Sequence, residues 1–292
     1  MNFLFLSMCA FSISSICFAD DDFSKEIFKS TALTTSIYML EGAGGNITAS
    51  IGPDGVFLVD DDFAEMNEKL VIKLKDLGGS SPRFIVNTHF HYDHTGGNEK
   101  FGKTATVIAA TAVRNRLMTE QILWGKRHPA APSEAWPILT FDESLTLRLN
   151  NEDIRIVHLP HGHTDGDSIV FFDKNKVVSM GDLYFSGMYP IFHVEHDGSL
   201  DGFIQDIKMV LRQIPYDAKI IPGHGPLSRK AELQKYCDMI EVSVEFMKRE
   251  LKKGHSLEQI QKTKVPPNLQ SFSHGYLNTN QWLALVYKGI KK

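Results

Sequence analysis

An α/β sandwich of two β-sheets with helices on its outer faces is the fold this sequence predicts. Three observations predict it. Two successive sets of apolar, strand-like runs are each followed by a helical stretch. Glycine-rich turns separate the strands of the first set. Several apolar runs end on a His or Asp with a glycine beside it, the pattern of a site carried on strand ends.

The first set lies in residues 34–60. Three strand-like runs there are separated by Gly42, Ala43, Gly44 and Gly45 and then by Gly52, Pro53, Asp54 and Gly55. Residues 64–77 place Leu70, Val71, Leu74 and Leu77 on one helical face. A strand over residues 83–87 runs directly into His89. Residues 105–110 predict a strand and 111–119 a helix. Residues 120–137, with Trp124, His128, Pro129, Pro132, Trp136 and Pro137, predict a long loop. The second set covers residues 144–149, 153–158, 168–172 and 176–180. A helix near 200–213, a short strand at 218–221 and a helical tail from 227 follow. We read residues 20–292 as one domain, with a core at about 34–226 and a C-terminal helical part at about 227–292.

Composition removes some functions. The chain has 292 residues, is 42% hydrophobic and 23% charged, and carries a formal net charge of -4. No basic run is long enough to track a phosphate backbone, so nucleic acid is not an expected partner. Residues 1–19 contain no charged side chain and precede Asp20, Asp21 and Asp22, which predicts a signal peptide cleaved after Ala19. The segment is short and serine-interrupted for a membrane span, and Ile16 is a poor neighbour for a lipidated Cys17. A periplasmic or secreted protein with no stable membrane insertion after cleavage is expected. Of three cysteines, Cys9 and Cys17 leave with the signal. Cys237 then remains as a buried core thiol, and no internal disulfide forms.

The strongest chemical signal is the run of residues 88–97, in which His89, His91, Asp93 and His94 fall within six positions. In a turn after a strand, His89 and His91 can face one cation while Asp93 and His94 face a neighbour. Imidazole and carboxylate are the donors expected for zinc. Gly96 and Gly97 are expected to let the backbone turn into the next helix. Three further donors follow other apolar strands or precede one: His163 in the stretch 161–167, Asp182 after residues 177–179, and His224 between Gly223 and Gly225. Seven ligands suffice for two metals with open positions for water.

These motifs resemble the metallo-β-lactamase superfamily, in order: Asp60 after an early strand, the His-x-His-x-Asp-His run, Gly162-His163-Thr164, Asp182, and Gly223-His224-Gly225. The resemblance spans about residues 34–226 and implies a four-layer αββα sandwich with C-terminal helices added. It implies that His89, His91 and His163 hold one metal, that Asp93, His94 and His224 hold a second, and that Asp182 bridges them. It implies two Zn2+, with iron or manganese as alternatives, and Asp60 supporting the histidine loop by hydrogen bonding. The implied reaction is hydrolysis of a small ester, thioester, lactone or amide/lactam by a metal-bridging hydroxide, with Asp93 orienting it as well as binding metal.

Within the family, substrate is not read from fold. A thioesterase acting on glutathione conjugates fits Asp182 as a bridge, although export argues against that intracellular chemistry. A dedicated β-lactamase is the main alternative. Against it, one subclass would carry Cys where Asp182 stands, another would lack this ligand, and residues 183–203 hold no Lys or Arg for a lactam carboxylate. An iron-binding oxidoreductase of the same fold would be favoured by an acidic residue at His91, and a non-enzymatic carrier by lost ligands; neither is present. Tyr184, Phe192, Trp124 and Trp136 are candidate apolar walls. His193 and His196 are an acid/base pair or a surface pair, with at least one expected on the surface. His128, His255 and His274 read as non-ligands, and His158 and His161 as flanking groups.

Overall fold

A computed structural model describes residues 22–123 and 125–291. The expected signal segment at residues 1–19, and Trp124, lie outside the described residues. In chain order the first half comprises β1 (Lys29–Ala32), β2 (Ile37–Glu41), β3 (Ile47–Gly52), β4 (Gly55–Val59), α1 (Asn67–Asp76), β5 (Pro82–Val86), α2 (Tyr92–Thr95), α3 (Asn98–Phe101), β6 (Thr106–Ala110), α4 (Thr111–Leu117), β7 (Gln121–Leu123), β8 (Lys126–His128) and β9 (Leu139–Phe141). The second half comprises β10 (Ser144–Leu149), β11 (Glu152–His158), β12 (Ser168–Phe172), β13 (Val177–Ser179), α5 (Leu200–Gln213), β14 (Lys219–Ile221), β15 (Ser228–Arg229), α6 (Lys230–Lys252), α7 (Leu257–Gln261), α8 (Pro267–Gln270) and α9 (Thr279–Lys291).

Two large sheets result. The first runs β1-β2-β3-β4-β5-β6-β9 and the second β10-β11-β12-β13-β14-β15. Each begins with antiparallel hairpins and then takes up parallel pairing, at β4 with β5 and at β13 with β14. Parallel neighbours need a crossover, and these crossovers place helices on the outer faces.

The side-chain alternation of each strand explains the layering. In β4, Phe57 and Val59 face inward between the sheets, while Val56 and Leu58 face outward toward Leu70 and Leu74 of α1. In β12, Val170 and Phe172 join the inter-sheet core, while Ile169 and Phe171 join the layer formed with α5, α6 and α9. Phe57 and Phe172 meet edge-on across the two sheets at 6.0 Å between ring centroids. Removing either ring would cost about 3–5 kcal/mol, the usual range for a buried Phe→Ala change. Three apolar layers between helix, sheet, sheet and helix make the αββα sandwich that the motif resemblance implied.

α5 illustrates the local logic. Ser199 caps it by accepting from Gly202 N at 3.0 Å. Leu200, Phe203, Ile207, Val210 and Leu211 then recur at helical spacing and are buried. The C-terminal helices are part of the same apolar layer: Tyr236, Ile240, Trp282 and Val286 pack with Phe203 and Ile207. No helix among the described residues is long and apolar enough to cross a membrane.

Two local expectations are corrected. Residues 120–137 are not one loop, because β7 and β8 form an antiparallel hairpin around Gly125, which has a positive φ of 75°. Gly96 and Gly97 have ordinary helical dihedrals, φ -63° and -71°, so they are not required for a turn. They are required for close approach: a Cβ on Gly96 would lie 2.7 Å from Ala64 N, and one on Gly97 2.7 Å from the Asp61 carboxyl carbon.

Candidate metal centre

All seven predicted donors meet at one end of the sandwich, on the loops that follow the sheet strands. β5 delivers Thr88 and His89, and the one-turn helix α2 follows. His91 precedes α2 with extended dihedrals, and Thr95 Oγ1 donates to its carbonyl at 3.0 Å. That single turn swings Asp93 and His94 away from His89 and His91. His163 lies on the β11–β12 connection, where the Asp167 carboxylate accepts from His163 N at 2.5 Å and from Thr164 N and Oγ1. Asp182 sits on a 3-10 turn after β13, and His224 follows β14.

The donors form two groups, His89 with His91, His163 and Asp182, and Asp93 with His94 and His224; within each group the donor atoms lie within 4.8 Å of one another. In the first, His91 Nδ1 is 2.9 Å from His89 Nε2 and 3.0 Å from His163 Nε2. In the second, His94 Nε2 is 3.4 Å from His224 Nε2, and Asp93 Oδ2 is 3.1 Å from the same His224 nitrogen. Asp182 spans both: Oδ2 is 3.4 Å from His163 Nε2, and Oδ1 is 3.1 Å from His94 Nε2. Ligand atoms about 2.0–2.1 Å from a tetrahedral zinc lie about 3.3 Å from one another. Ring nitrogens converging at that separation, on buried side chains, fit cations.

Each imidazole that presents Nε2 has an oxygen on its other nitrogen, the arrangement that fixes a ligand's tautomer and orientation. His89 Nδ1 meets Thr88 Oγ1 at 3.1 Å, His163 Nδ1 the Ile191 carbonyl at 2.7 Å, His94 Nδ1 the Asp60 carboxylate at 2.8 Å, and His224 Nδ1 the Tyr276 hydroxyl at 3.1 Å. Asp60 also accepts from Thr88 N at 2.7 Å and Thr88 Oγ1 at 2.8 Å. It is fully buried with φ 62°, and its carboxylate lies under the histidine loop rather than in solvent. The structure thus gives it the supporting contacts that the resemblance implied.

Charge divides the two groups. Burial pushes His89 and His91 well below the ordinary imidazole range and lowers His163. Burial acts the same way on His94 and His224, but the Asp182 and Asp93 carboxylates outweigh it. His94 ends well above its ordinary range and His224 at about 9. Burial would raise Asp182, yet His224, His94 and His89 hold it well below the usual carboxylate range.

The surrounding loops are pinned to this geometry. Asn46 Nδ2 donates to the carbonyls of Pro222 and Gly225 at 3.0 and 2.9 Å, clamping the His224 loop to residues 42–46. Asp62 accepts from Gly44 N at 2.9 Å and Ala43 N at 3.2 Å from below that segment. Gly45 is required here, since a Cβ would stand 2.2 Å from His94 Cε1. Phe185 stacks on His224 with 5.4 Å between ring centroids and 15° between planes.

Several other expectations change. His193 and His196 are both buried, at 7% and 5% exposure, so neither is a surface residue. The His193 ring lies 4.8 Å from His91 and 5.6 Å from His196, and His193 N donates to the His163 carbonyl. Tyr184 turns into the core, donating to Ser228 Oγ at 3.0 Å, and Phe192 is buried in the same layer. Trp136 packs under Arg114 and donates to the Ala131 carbonyl. Phe185 is buried in the layer of Phe192 too, with its ring face covered by His224. His158 bonds the carbonyls of Asp142 and Asp165, and His255 bonds Glu250. Asn46, Thr88 and Tyr276 are contacts that the sequence does not single out as site residues. A cavity of about 270 Å³ lined by Phe90, Tyr92, Thr95, Leu117, Leu123 and Pro132 lies against the outer side of the histidine loop.

Comparison with known proteins agrees with this architecture. Residues 41–225 match the family described as the metallo-beta-lactamase superfamily. The chain is 29% identical over 189 residues to hydroxyacylglutathione hydrolase of Pelagibacter ubique (strain HTCC1062), covering 63% of this chain and 67% of that protein. The solved metallo-beta-lactamase from Pontibacter korlensis superposes with a TM-score of 0.62 at 18% identity, over 73% of this chain and 99% of that one. The stereoselective inverting sec-alkylsulfatase from Pseudomonas sp. gives a TM-score of 0.68 at 16% identity, over 90% of this chain and 50% of that one. This chain therefore spans half the sulfatase's length, and these two likenesses speak to fold.

Proposed function

This chain belongs to the metallo-β-lactamase superfamily, and from that premise we propose that it is a dinuclear zinc hydrolase cleaving a small ester- or thioester-type acyl bond. The observation that carries the reading is the convergence of seven buried or nearly buried donor atoms into two adjoining groups that share Asp182. The 29% identity to a hydrolase of a hydroxyacylglutathione supports an acyl substrate.

His89, His91 and His163 would hold the first metal and Asp93, His94 and His224 the second, with Asp182 contributing one oxygen to each. Bound there, the pair would lower the pKa of a water and polarise the scissile carbonyl. Asp93, at 15% the most exposed side chain of the seven, would orient the nucleophile as well as bind metal. Thr88 and Asp60 hold His89 and His94 in register while the substrate enters. Phe185, stacked on His224, fixes the plane of that ring. Cys237 takes no part: it is fully buried, and burial pushes its thiol up to about 11.

The test is metal content joined to turnover. Purified protein should carry close to two zinc ions per chain and hydrolyse thioester or aryl-ester probes faster than a lactam or a phosphodiester. A chelator should abolish turnover, and zinc should restore it. Turnover that survives both chelation and His91→Ala would refute the proposal. The same reading has the enzyme exported after loss of residues 1–19; a full-length product confined to the cytoplasm would refute that part.

A further inference from the structure

Among the four histidines that present Nε2 to the metal pair, His224 differs in its partner. His89, His163 and His94 rest on Thr88 Oγ1, the Ile191 carbonyl and the Asp60 carboxylate. A carbonyl or a carboxylate has no proton to give, and Thr88 Oγ1 already donates to Asp60 at 2.8 Å. His224 Nδ1 rests on the Tyr276 hydroxyl at 3.1 Å. Nε2 is turned to the metal pair, 3.1 Å from Asp93 Oδ2 and 3.4 Å from Asp182 Oδ1, and with a metal on Nε2 the one proton left on His224 is on Nδ1. Nδ1–H therefore donates and the phenol oxygen accepts. The phenol keeps its own O–H, for which no acceptor exists among the described residues, and Tyr276 is 38% exposed.

Tyr276 is held there by packing. Its segment lies between α8 and α9, paired by an antiparallel bridge between Met188 and Ser273. Tyr189 N donates to the Phe272 carbonyl at 3.1 Å, and the Tyr189 hydroxyl bonds the Leu269 carbonyl at 2.7 Å. The Tyr276 ring meets His224 edge-on at 5.4 Å and Phe185 at 6.5 Å. Tyr276 also lies beyond residue 225, where the family match ends.

We infer that Tyr276, supplied by the C-terminal segment, positions His224 for the second metal and donates its free hydroxyl proton in a hydrogen bond to an oxygen of the bound substrate. The inference rests on the dinuclear reading above. It makes the C-terminal part a contributor to the site and not only a cover for the second sheet. Losing an outer partner of a metal-bound histidine lowers metal affinity roughly 10–100-fold.

Tyr276→Phe keeps the ring and removes both hydrogen bonds. Competition with a graded chelator, using zinc alone, should show the second equivalent bound about 10–100-fold more weakly and the first unchanged. The melting temperature of the metal-free protein should fall by no more than the loss of one hydrogen bond accounts for. At zinc concentrations that refill both positions, kcat/KM should stay below wild type, because the substrate's hydrogen bond is still missing. Both equivalents binding as in wild type, or both weakening alike, would overturn the positioning role. Full recovery of kcat/KM at saturating zinc would overturn the substrate contact. A wild-type protein that binds only one equivalent would instead defeat the dinuclear reading itself.

Discussion

The two donor groups share Asp182 and differ in almost everything else. The first gathers three imidazoles that burial keeps neutral, so a cation can enter without displacing a proton. The second sets two imidazoles against carboxylates that raise their proton affinity, His224 to about 9. Without a metal, the carboxylates favour protons on these two imidazoles, in the place a cation would take. On the dinuclear reading proposed above, one pocket would hold two metals on different terms. The first position is governed by burial and the second by competition with protons.

The largest effect should come from breaking the element common to both. Asp182→Ala should weaken both zinc equivalents and reduce kcat/KM by more than the roughly 10–100-fold that an outer partner commands. A loss confined to one equivalent, measured by chelator competition, would mean that Asp182 serves only one group. Next, Asp60→Asn separates the groups. Its carboxylate accepts from His94 Nδ1 at 2.8 Å, so the second equivalent should weaken about 10–100-fold and the first much less.

The groups are legible in sequence to different degrees for physical reasons. His89, His91, Asp93 and His94 are local, and a dense His/Asp run at the end of an apolar strand suits neither a core nor a solvated face as well as it suits a cation. The strands are legible wherever alternation separates two apolar layers, as in β4 and β12. β1 is not, because Lys29–Ala32 is exposed throughout and has no buried face to impose a period. The β7–β8 hairpin hides among prolines and aromatics that read as a loop. Tyr276 is hidden because it is one tyrosine returning from 52 residues beyond His224, and only the packing of residues 271–278 against Met188 and Tyr189 brings it back. His193 and His196 leave an acid/base pair and a surface pair open, with at least one expected on the surface, and only the close packing of that segment against His91 and His163 buries both.

Acidity sharpens the contrast between the groups with a smaller effect. His224 has a raised pKa, so its proton is bound below about 9 and must leave before Nε2 can take a metal. Affinity for the second equivalent should therefore rise with pH through about 9, and keep rising for as long as His94, also held well above its ordinary range, retains its proton. The slope should be about tenfold per pH unit for each proton displaced. The first equivalent, on imidazoles already neutral, should be flat across pH 7–9. Titrating zinc into metal-free protein at several pH values in buffers of differing protonation enthalpy measures both the slope and the protons released. Equal slopes for the two equivalents would remove the distinction.

The smallest effect should come from Cys237, which lies outside both groups. Cys237→Ser should leave kcat/KM and both zinc affinities unchanged, whatever it does to stability, because the thiol is packed in the layer between α6 and the second sheet. A fall in turnover without a fall in melting temperature would place a thiol in the chemistry after all.

Anomalous scattering at the zinc edge, from crystals of the metal-loaded protein, addresses the dinuclear site most directly. Two peaks about 3.5–4 Å apart are expected, one among His89, His91 and His163, the other among Asp93, His94 and His224, with Asp182 reaching both. A single peak, or peaks away from these side chains, would contradict a metal pair held by these seven residues.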